Sequence, residues 1–244
     1  MGRAPPRSRL DRRQALALLA RSGALLVVGC GTGTDAESPT CVLTPVLTAG
    51  PYWRNDALHR SDLRWDSQPI SGQEPRPGVA LALTIRVSTT AEEWCRPLRG
   101  AQVNLWQCDA QGVYSGIAER GTAGRDFLRG FQLTDEAGRA RFLTVYPGWY
   151  PGRTVHIHAK VRTFDVFGAV ITEVNTQLFF DDAITDEVLA TEAYVGRGPR
   201  DTRNATDSIF PGQPARFVSL TGDPRSRMQG EVELGVRIGE IRRD

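Results

Sequence analysis

Two histidines separated by a single residue, His156 and His158, are the side chains in this sequence best placed to do chemistry. The chain has only 3 histidines. Residues two apart on a β-strand share a face, about 7 Å apart along the backbone, so both imidazoles can converge on one metal ion. Val155, Ile157, Ala159 and Val161 then take the opposite face and fill a core, leaving the histidine face free of packing duties. Just upstream, Tyr146-Pro147-Gly148-Trp149-Tyr150-Pro151-Gly152 forms a turn-rich stretch from which the Tyr150 phenol can reach the same point. Tyrosinate is a hard anionic ligand that suits Fe(III) better than Zn(II) or Cu(I). A bound metal can bring a phenol's pKa from about 10 to below neutrality. The bland alternative is two solvent-facing histidines and a tyrosine packed at a turn.

The elements that must position these residues read as strands. With 244 residues, 40% of them hydrophobic, the chain can bury a real core, which excludes disorder and a disulfide-only miniprotein. Val79, Leu81, Leu83, Ile85 and Val87 alternate with smaller or polar residues, the period of a half-buried strand. Similar runs occupy 102–107, 139–145, 155–162, 170–180, 215–220 and 231–238. The fold class is therefore all-β, a single-domain β-sandwich with short helical excursions. Residues 109–112 and 135–138, each opening on Asp and closing on Gly, read as hairpin connections. Residues 182–194 read as a short amphipathic helix packing through Val188 and Leu189.

Charge is unevenly placed. Residues 1–29 hold six arginines against one acid, a charge of +5, so a chain of net charge +2 leaves −3 for the body. A mildly acidic body without a basic stripe is not a nucleic-acid binder. The basic stretch ends in Arg12-Arg13 and leads into an apolar run, 15–28, broken by Arg21 and short of the roughly 20 apolar residues of a spanning helix. It reads as an export signal of twin-arginine type, and Leu26-Val27-Val28-Gly29-Cys30 resembles a lipobox. The expected organisation is a signal over 1–30, a tether over 31–40 and a domain over 41–244, exported and either secreted, periplasmic or held at the cell surface. Membrane contact would come only through a lipid on Cys30. Cys41, Cys95 and Cys108 remain for an oxidising compartment, and a bridge between Cys95 and Cys108 is expected across the 102–107 strand.

The site segment resembles the intradiol ring-cleavage dioxygenases, the family of catechol 1,2-dioxygenase and protocatechuate 3,4-dioxygenase. The resemblance lies in the Pro147-Gly148-Trp149-Tyr150 turn, Arg153, the His156-Ile157-His158 pair, the stretch from Leu105-Trp106 to Gly112-Val113-Tyr114, the Leu133-Thr134-Asp135 run, Thr176-Gln177, Thr44-Pro45 and Gly50-Pro51-Tyr52. It implies Fe(III) held by Tyr114, Tyr150, His156 and His158, with Tyr146 the alternative to Tyr114. It also implies a catechol that binds as a chelating dianion and displaces Tyr150, and O2 as co-substrate, giving a cis,cis-muconate-type product. Arg153 would stabilise developing negative charge and Gln177 would orient a ligand or substrate, while a salt bridge is the plain alternative for Arg153. Two features depart from the soluble pathway enzymes: only five residues separate Tyr150 from His156, and an export signal is present.

Two rival classes make different demands. A non-catalytic β-sandwich module binding carbohydrate or plant polymer would need an exposed aromatic platform, for which Trp53, Trp65 and Trp94 are available. A copper or zinc site would pair the histidines with acids. The sequence names neither the catechol nor the oligomeric state.

Overall fold

The computed structural model describes residues 1–2, 42–69, 71–91, 94–212 and 217–242, with backbone alone at Ala91, Trp94 and Arg242. The chain divides into two compact units, residues 1–37 and 38–244, and the described elements all belong to the second. The signal-like segment beyond Gly2, the tether and Cys41 lie outside the described residues.

Two five-stranded sheets make up this unit. In the first, β1 (Ala80–Ala91) pairs in parallel with β9 (Arg227–Val236), which also carries β8 (Ser219–Asp223). Along the other edge of β1 lie β5 (Arg139–Val145), opposite its first half, and β2 (Trp94–Pro97), opposite its last residues. The second sheet runs β10 (Ile241–Arg242), β7 (Val170–Phe179), β6 (His156–Phe164), β3 (Gln102–Trp106), β4 (Arg129–Leu133). The core is built from one face of each. Leu81, Leu83, Ile85, Val87, Val232 and Leu234 meet Val103, Leu105, Ile157, Ala159, Val161 and Leu178, all in one buried cluster. Each of the valines, leucines and isoleucines contributes about 1.5–3 kcal/mol by leaving water.

The alternating runs became β1, β3, β5, β6 and β7, and the last run shifted forward into β9. The run at 215–220 emerges as β8, with 213–216 outside the described residues. β2, β4 and β10 were not anticipated, being short and lacking a clean alternation. The helix is α1 (Asp182–Leu189), capped by Asp181, whose carboxylate accepts from the N–H groups of Ala183 and Ile184. It ends at Ala190, and a separate 3-10 turn covers Glu192–Tyr194.

Three expectations are corrected. Residues 135–138 do form a tight turn, with Gly138 N–H donating to the Asp135 carbonyl at 2.9 Å. It passes the chain from β4 in the second sheet to β5 in the first, so it closes no hairpin. Residues 109–112 turn within the long connection 107–128 between β3 and β4. Finally, Cys95 is disulfide-bonded while Cys108 is a free, buried thiol, so these two are not joined. Cys95 sits in β2 of the first sheet, whereas Cys108 follows β3 in the second and donates its S–H to the Gly148 carbonyl at 3.3 Å. The partner of Cys95 lies outside the described residues.

Candidate metal centre

His156 and His158 open β6, a central strand of the second sheet, and the register places Trp106 and Gln177 on either side of His158. The Trp106 and His158 rings lie nearly parallel, with centroids 4.9 Å apart. As expected, Val155, Ile157, Ala159 and Val161 fill the core on the other face. The histidine face is packed as well, contrary to the reading that left it free. Both histidines are 2% exposed, because Trp106, Cys108 and Tyr114 form a second small cluster roofed by Ala49, Tyr52 and Trp53. Two open imidazoles on a bare sheet would stay hydrated, whereas enclosed ones must find a polar partner.

Tyr114 and Tyr150 arrive on two connections that touch through their backbones. Gly148 N–H donates to the Asp109 carbonyl at 3.0 Å. A Cβ at Gly148 would stand 2.3 Å from the Ala110 carbonyl oxygen, and one at Gly112, where φ is +71°, would stand 2.1 Å from that of Trp149. Only glycine lets the two tyrosine-bearing segments approach this closely. After Tyr150 the chain reverses at once: Pro151 and Gly152 (φ 82°) occupy the centre of a turn closed by Arg153 N–H donating to the Tyr150 carbonyl at 3.4 Å. Pro followed by a positive-φ Gly is the composition of a type II turn, which explains how five residues suffice to bring the chain from Tyr150 back to His156.

The four side chains converge. The Tyr150 hydroxyl lies 3.1 Å from His156 Nε2, and the Nε2 atoms of His156 and His158 are 3.2 Å apart. His156 Nδ1 is 2.7 Å from the Thr154 carbonyl, which can only accept, so the proton sits on Nδ1 and the Nε2 lone pair faces the cluster. The Tyr114 ring lies 5.8 Å from that of Tyr150 and 6.3 Å from that of His158, with Tyr52 stacked on its far side at 4.4 Å. Its hydroxyl is enclosed and has no partner at hydrogen-bonding geometry, although it lies close enough to the Tyr150 hydroxyl for the two to influence each other electrostatically. Among the described residues no three His, Cys, Asp or Glu side chains form a metal cage. Among the described residues, the side-chain oxygens placed to ligate a cation here are those of the phenols.

Burial governs the electrostatics. It pushes His156 down to about 3, with the Arg153 charge acting the same way, and it takes His158 well below the ordinary imidazole value, helped by His156 and Arg153. Burial pushes Tyr150 up to about 12 against the pull of Arg153, and raises Tyr114 well above the usual phenol value. Neutral imidazoles with free lone pairs, and an enclosed phenol beside the Tyr150 hydroxyl that a cation would engage, form a donor set suited to iron. Without metal these shifts cost stability at both ends of the pH scale. Below about pH 6.5 the unfolded chain binds protons that His156 refuses, so stability falls as pH drops toward 3. Above about pH 10 the unfolded phenols ionise while the folded ones do not, so it falls again as pH rises. Urea unfolding of metal-free protein should show a lower midpoint at pH 5 than at pH 7, with a smaller drop in His156→Gln; equal drops would contradict the buried neutral imidazole.

Arg153 lies beside the cluster, 13% exposed in its side chain. Its Nε donates to Asp207 Oδ2 at 2.9 Å and its Nη2 to Gln177 Oε1. Gln177 Nε2 in turn donates to the Thr48 carbonyl at 3.0 Å, on the segment that leads into Gly50 and Tyr52. Arg153 thus does form a salt bridge, but a buried one inside the site, and its Nη1 has no hydrogen-bond partner among the described residues. Sequence reasoning missed Asp207, Thr154 and Arg129. Arg129 is a buried guanidinium that donates to Ser115 Oγ, the Ser115 carbonyl and the Tyr52 carbonyl, tying the Tyr114 connection to the roof. No local pattern signals these partners, since Asp207 is 54 residues from Arg153. The proposed stand-in Tyr146 is elsewhere: its hydroxyl pairs with Thr185 Oγ1 at 2.7 Å in the main core. His59, the third histidine, stacks on Phe131. Trp53 packs on Trp106 and beneath the Lys160 ammonium and so offers no platform, Trp65 is half-buried, and the Trp94 side chain lies outside the description.

The sequence and fold have known relatives. A family model described as dioxygenase matches residues 48–197. Over 174 residues the chain is 32% identical to the protocatechuate 3,4-dioxygenase beta chain of Burkholderia cepacia, a match covering 67% of this chain and 63% of that protein, so it spans less than two thirds of this relative's length. An intradiol ring-cleavage dioxygenase from Tetranychus urticae has a similar structure, with 29% identity and a TM-score of 0.67 over 84% of this chain and 98% of that one. The dioxygenase domain of a dioxygenase carbohydrate-binding protein fusion from Streptomyces sp. SirexAA-E, also 29% identical, reaches a TM-score of 0.56 over 81% of this chain and 99% of that one. With more than half of the sequence matched and the sandwich shared across most of its length, this chain belongs to the intradiol ring-cleaving dioxygenase family.

Proposed function

We propose that this protein cleaves a catechol-type aromatic between its two hydroxyl-bearing carbons, using O2 and an Fe(III) held by Tyr114, Tyr150, His156 and His158, to give a cis,cis-muconate-type product. The observation that carries the reading is the meeting of two phenols and two neutral imidazoles at one enclosed point with no carboxylate among them. Iron bound there would ionise the phenols and, as a Lewis acid, draw electron density from a bound catechol toward reaction with O2. The protein's own groups divide the remaining work. Tyr114, stacked under Tyr52 and 3% exposed, is built to stay. Tyr150 is half-buried at a turn and can yield its place to substrate, its Oη accepting a catechol proton as it leaves. Arg153, with Nη1 unengaged, provides a fixed positive charge for the anion that develops, and Gln177 holds that guanidinium in orientation. The cover of Tyr52 and Trp53 limits water at the centre.

The disulfide at Cys95 supports an oxidising location, in keeping with the export-like N-terminus, and the protein is proposed to act outside the cytoplasm on phenols met there. Fe(III)-reconstituted protein should be red-brown, with a broad visible band lost on reduction, and should consume O2 with members of a catechol panel. A folded protein that stays colourless and iron-free after reconstitution would overturn the proposal. Tyr114→Phe removes only the enclosed phenolic oxygen and leaves the ring packed under Tyr52. It should keep the fold and lose most of the visible band; an unchanged spectrum with unchanged turnover would place the second phenolate elsewhere.

A further inference from the structure

Asp207 lies outside the residues matched by the family model, yet its carboxylate is wholly buried against the centre. One oxygen, Oδ2, accepts from two neighbours of the metal ligands at once: Arg153 Nε at 2.9 Å and the Thr154 backbone N–H at 2.8 Å. The other, Oδ1, accepts from the Ile209 N–H at 2.7 Å, which fixes the plane of the carboxylate. Thr154 is held a second time, its hydroxyl donating to Asn204 Oδ1 at 2.7 Å while Asn204 Nδ2 donates to the Phe180 carbonyl at 2.8 Å. The carbonyl of this doubly pinned Thr154 takes the His156 Nδ1 proton. The segment 203–209 is therefore a buttress behind the Tyr150-to-His156 turn.

We infer that Asp207 is a positioning residue that aims the Arg153 guanidinium and, through Thr154, sets the ring orientation and tautomer of His156. The assignment rests on the dioxygenase reading for its effect on turnover, and on geometry alone for its effect on His156. A guanidinium has five N–H groups in a rigid fork; with Nε on Asp207 and Nη2 on Gln177, its plane is fixed and Nη1 is left for substrate. A carboxylate is the right group for this task, because it can take two donors on one oxygen and a third on the other without offering a proton in return. Outer hydrogen-bond partners of metal-ligating histidines commonly carry effects of roughly 10–100-fold on metal affinity or activity.

The test compares Asp207→Ala and Asp207→Asn, each alone and combined with Arg153→Ala. In Asp207→Ala, kcat on a catechol that the wild type turns over should fall roughly 10–100-fold with KM changed less than about 2-fold. Once Arg153 is alanine, the same substitution should cost clearly less than it does in the wild type, since the route through the guanidinium is gone and only the one through Thr154 and His156 remains. The second readout needs neither iron nor turnover. In metal-free protein the His156 Nδ1 proton, held by the Thr154 carbonyl, should give an exchange-protected resonance that persists in the wild type and in Arg153→Ala and is lost in Asp207→Ala. Asp207→Asn, whose one amide oxygen can stand in for Oδ2 and accept from both Thr154 and Arg153, should retain the resonance and lose less turnover than Asp207→Ala. Multiplicative losses with Arg153→Ala, an unchanged resonance in Asp207→Ala, or failure of both Asp207 variants to fold would each overturn the assignment. A wild type that binds no iron and consumes no O2 would instead defeat the functional reading, with the resonance still deciding the role of Asp207.

Discussion

Substituting His156 or His158 by alanine is expected to give a folded, colourless protein that retains no iron and consumes no O2 above background. Each histidine presents a neutral ring, fully enclosed and placed by a central strand, and the two Nε2 atoms stand 3.2 Å apart. Losing one removes a quarter of the protein's proposed ligand set, and no His, Cys, Asp or Glu among the described residues is grouped to replace it. Fold should survive, since the core lies on the opposite face of β6. Truncating a large buried side chain costs about 2–5 kcal/mol, with the larger share expected at His158, which also loses its stacking on Trp106. The measurements are metal content after Fe(III) reconstitution and thermal unfolding of the metal-free forms. Stoichiometric iron in a His156→Ala/His158→Ala double variant would defeat the site.

The second large effect belongs to Arg153. Arg153→Ala should keep iron and the visible band yet turn over about 10²–10³-fold more slowly, the scale seen when a preorganised charge or donor is removed from a developing anion. The guanidinium contacts Asp207 and Gln177 and makes no hydrogen bond to any of the four ligand side chains, so the loss should fall on the chemistry. Arg153→Lys should recover only part of it, because a single ammonium cannot span Asp207 and Gln177 while leaving a donor for substrate. Single-turnover decay of the coloured catechol complex on mixing with O2 reads this directly. Wild-type decay in Arg153→Ala would reduce Arg153 to the salt bridge it makes with Asp207.

The parts of this molecule legible in the sequence are those whose causes are local. β6 could be read because His156 and His158 alternate with Ile157 and Ala159, and the Tyr150 turn because Pro151-Gly152 has a restricted set of conformations. The resemblance supplied Tyr114, and the structure brings its ring beside those of Tyr150 and His158. What escaped depends on chain segments distant in sequence. Tyr52 and Trp53 cover the histidine face from a segment that no periodicity links to β6, so the face read as open. Cys95 and Cys108 flank one strand, yet the sheet change between β2 and β3 separates them, and spacing alone does not reveal a sheet change. Asp207 is one of many surface-looking acids in the sequence until the 203–209 segment folds back onto Thr154.

The parallel ladder between β1 and β9 constrains how the molecule can be made. Ala80 finds its partner at Arg227 and Thr89 at Val236, so an inner strand of the first sheet waits for residues synthesised almost at the end of the described chain. Until they emerge, one whole edge of β1 has unpaired N–H and C=O groups flanked by Leu81, Leu83, Ile85 and Val87, a surface prone to joining other nascent chains. Strands β3, β4, β6 and β7, which carry or flank the histidine pair, can by contrast pair with one another well before β9 exists. A ribosome stalled past β7 but short of β9 would therefore display a chain in which β3, β4, β6 and β7 are paired while β1 still lacks β9, and shielding of the β1 edge by a chaperone at that stage would raise the yield of folded protein.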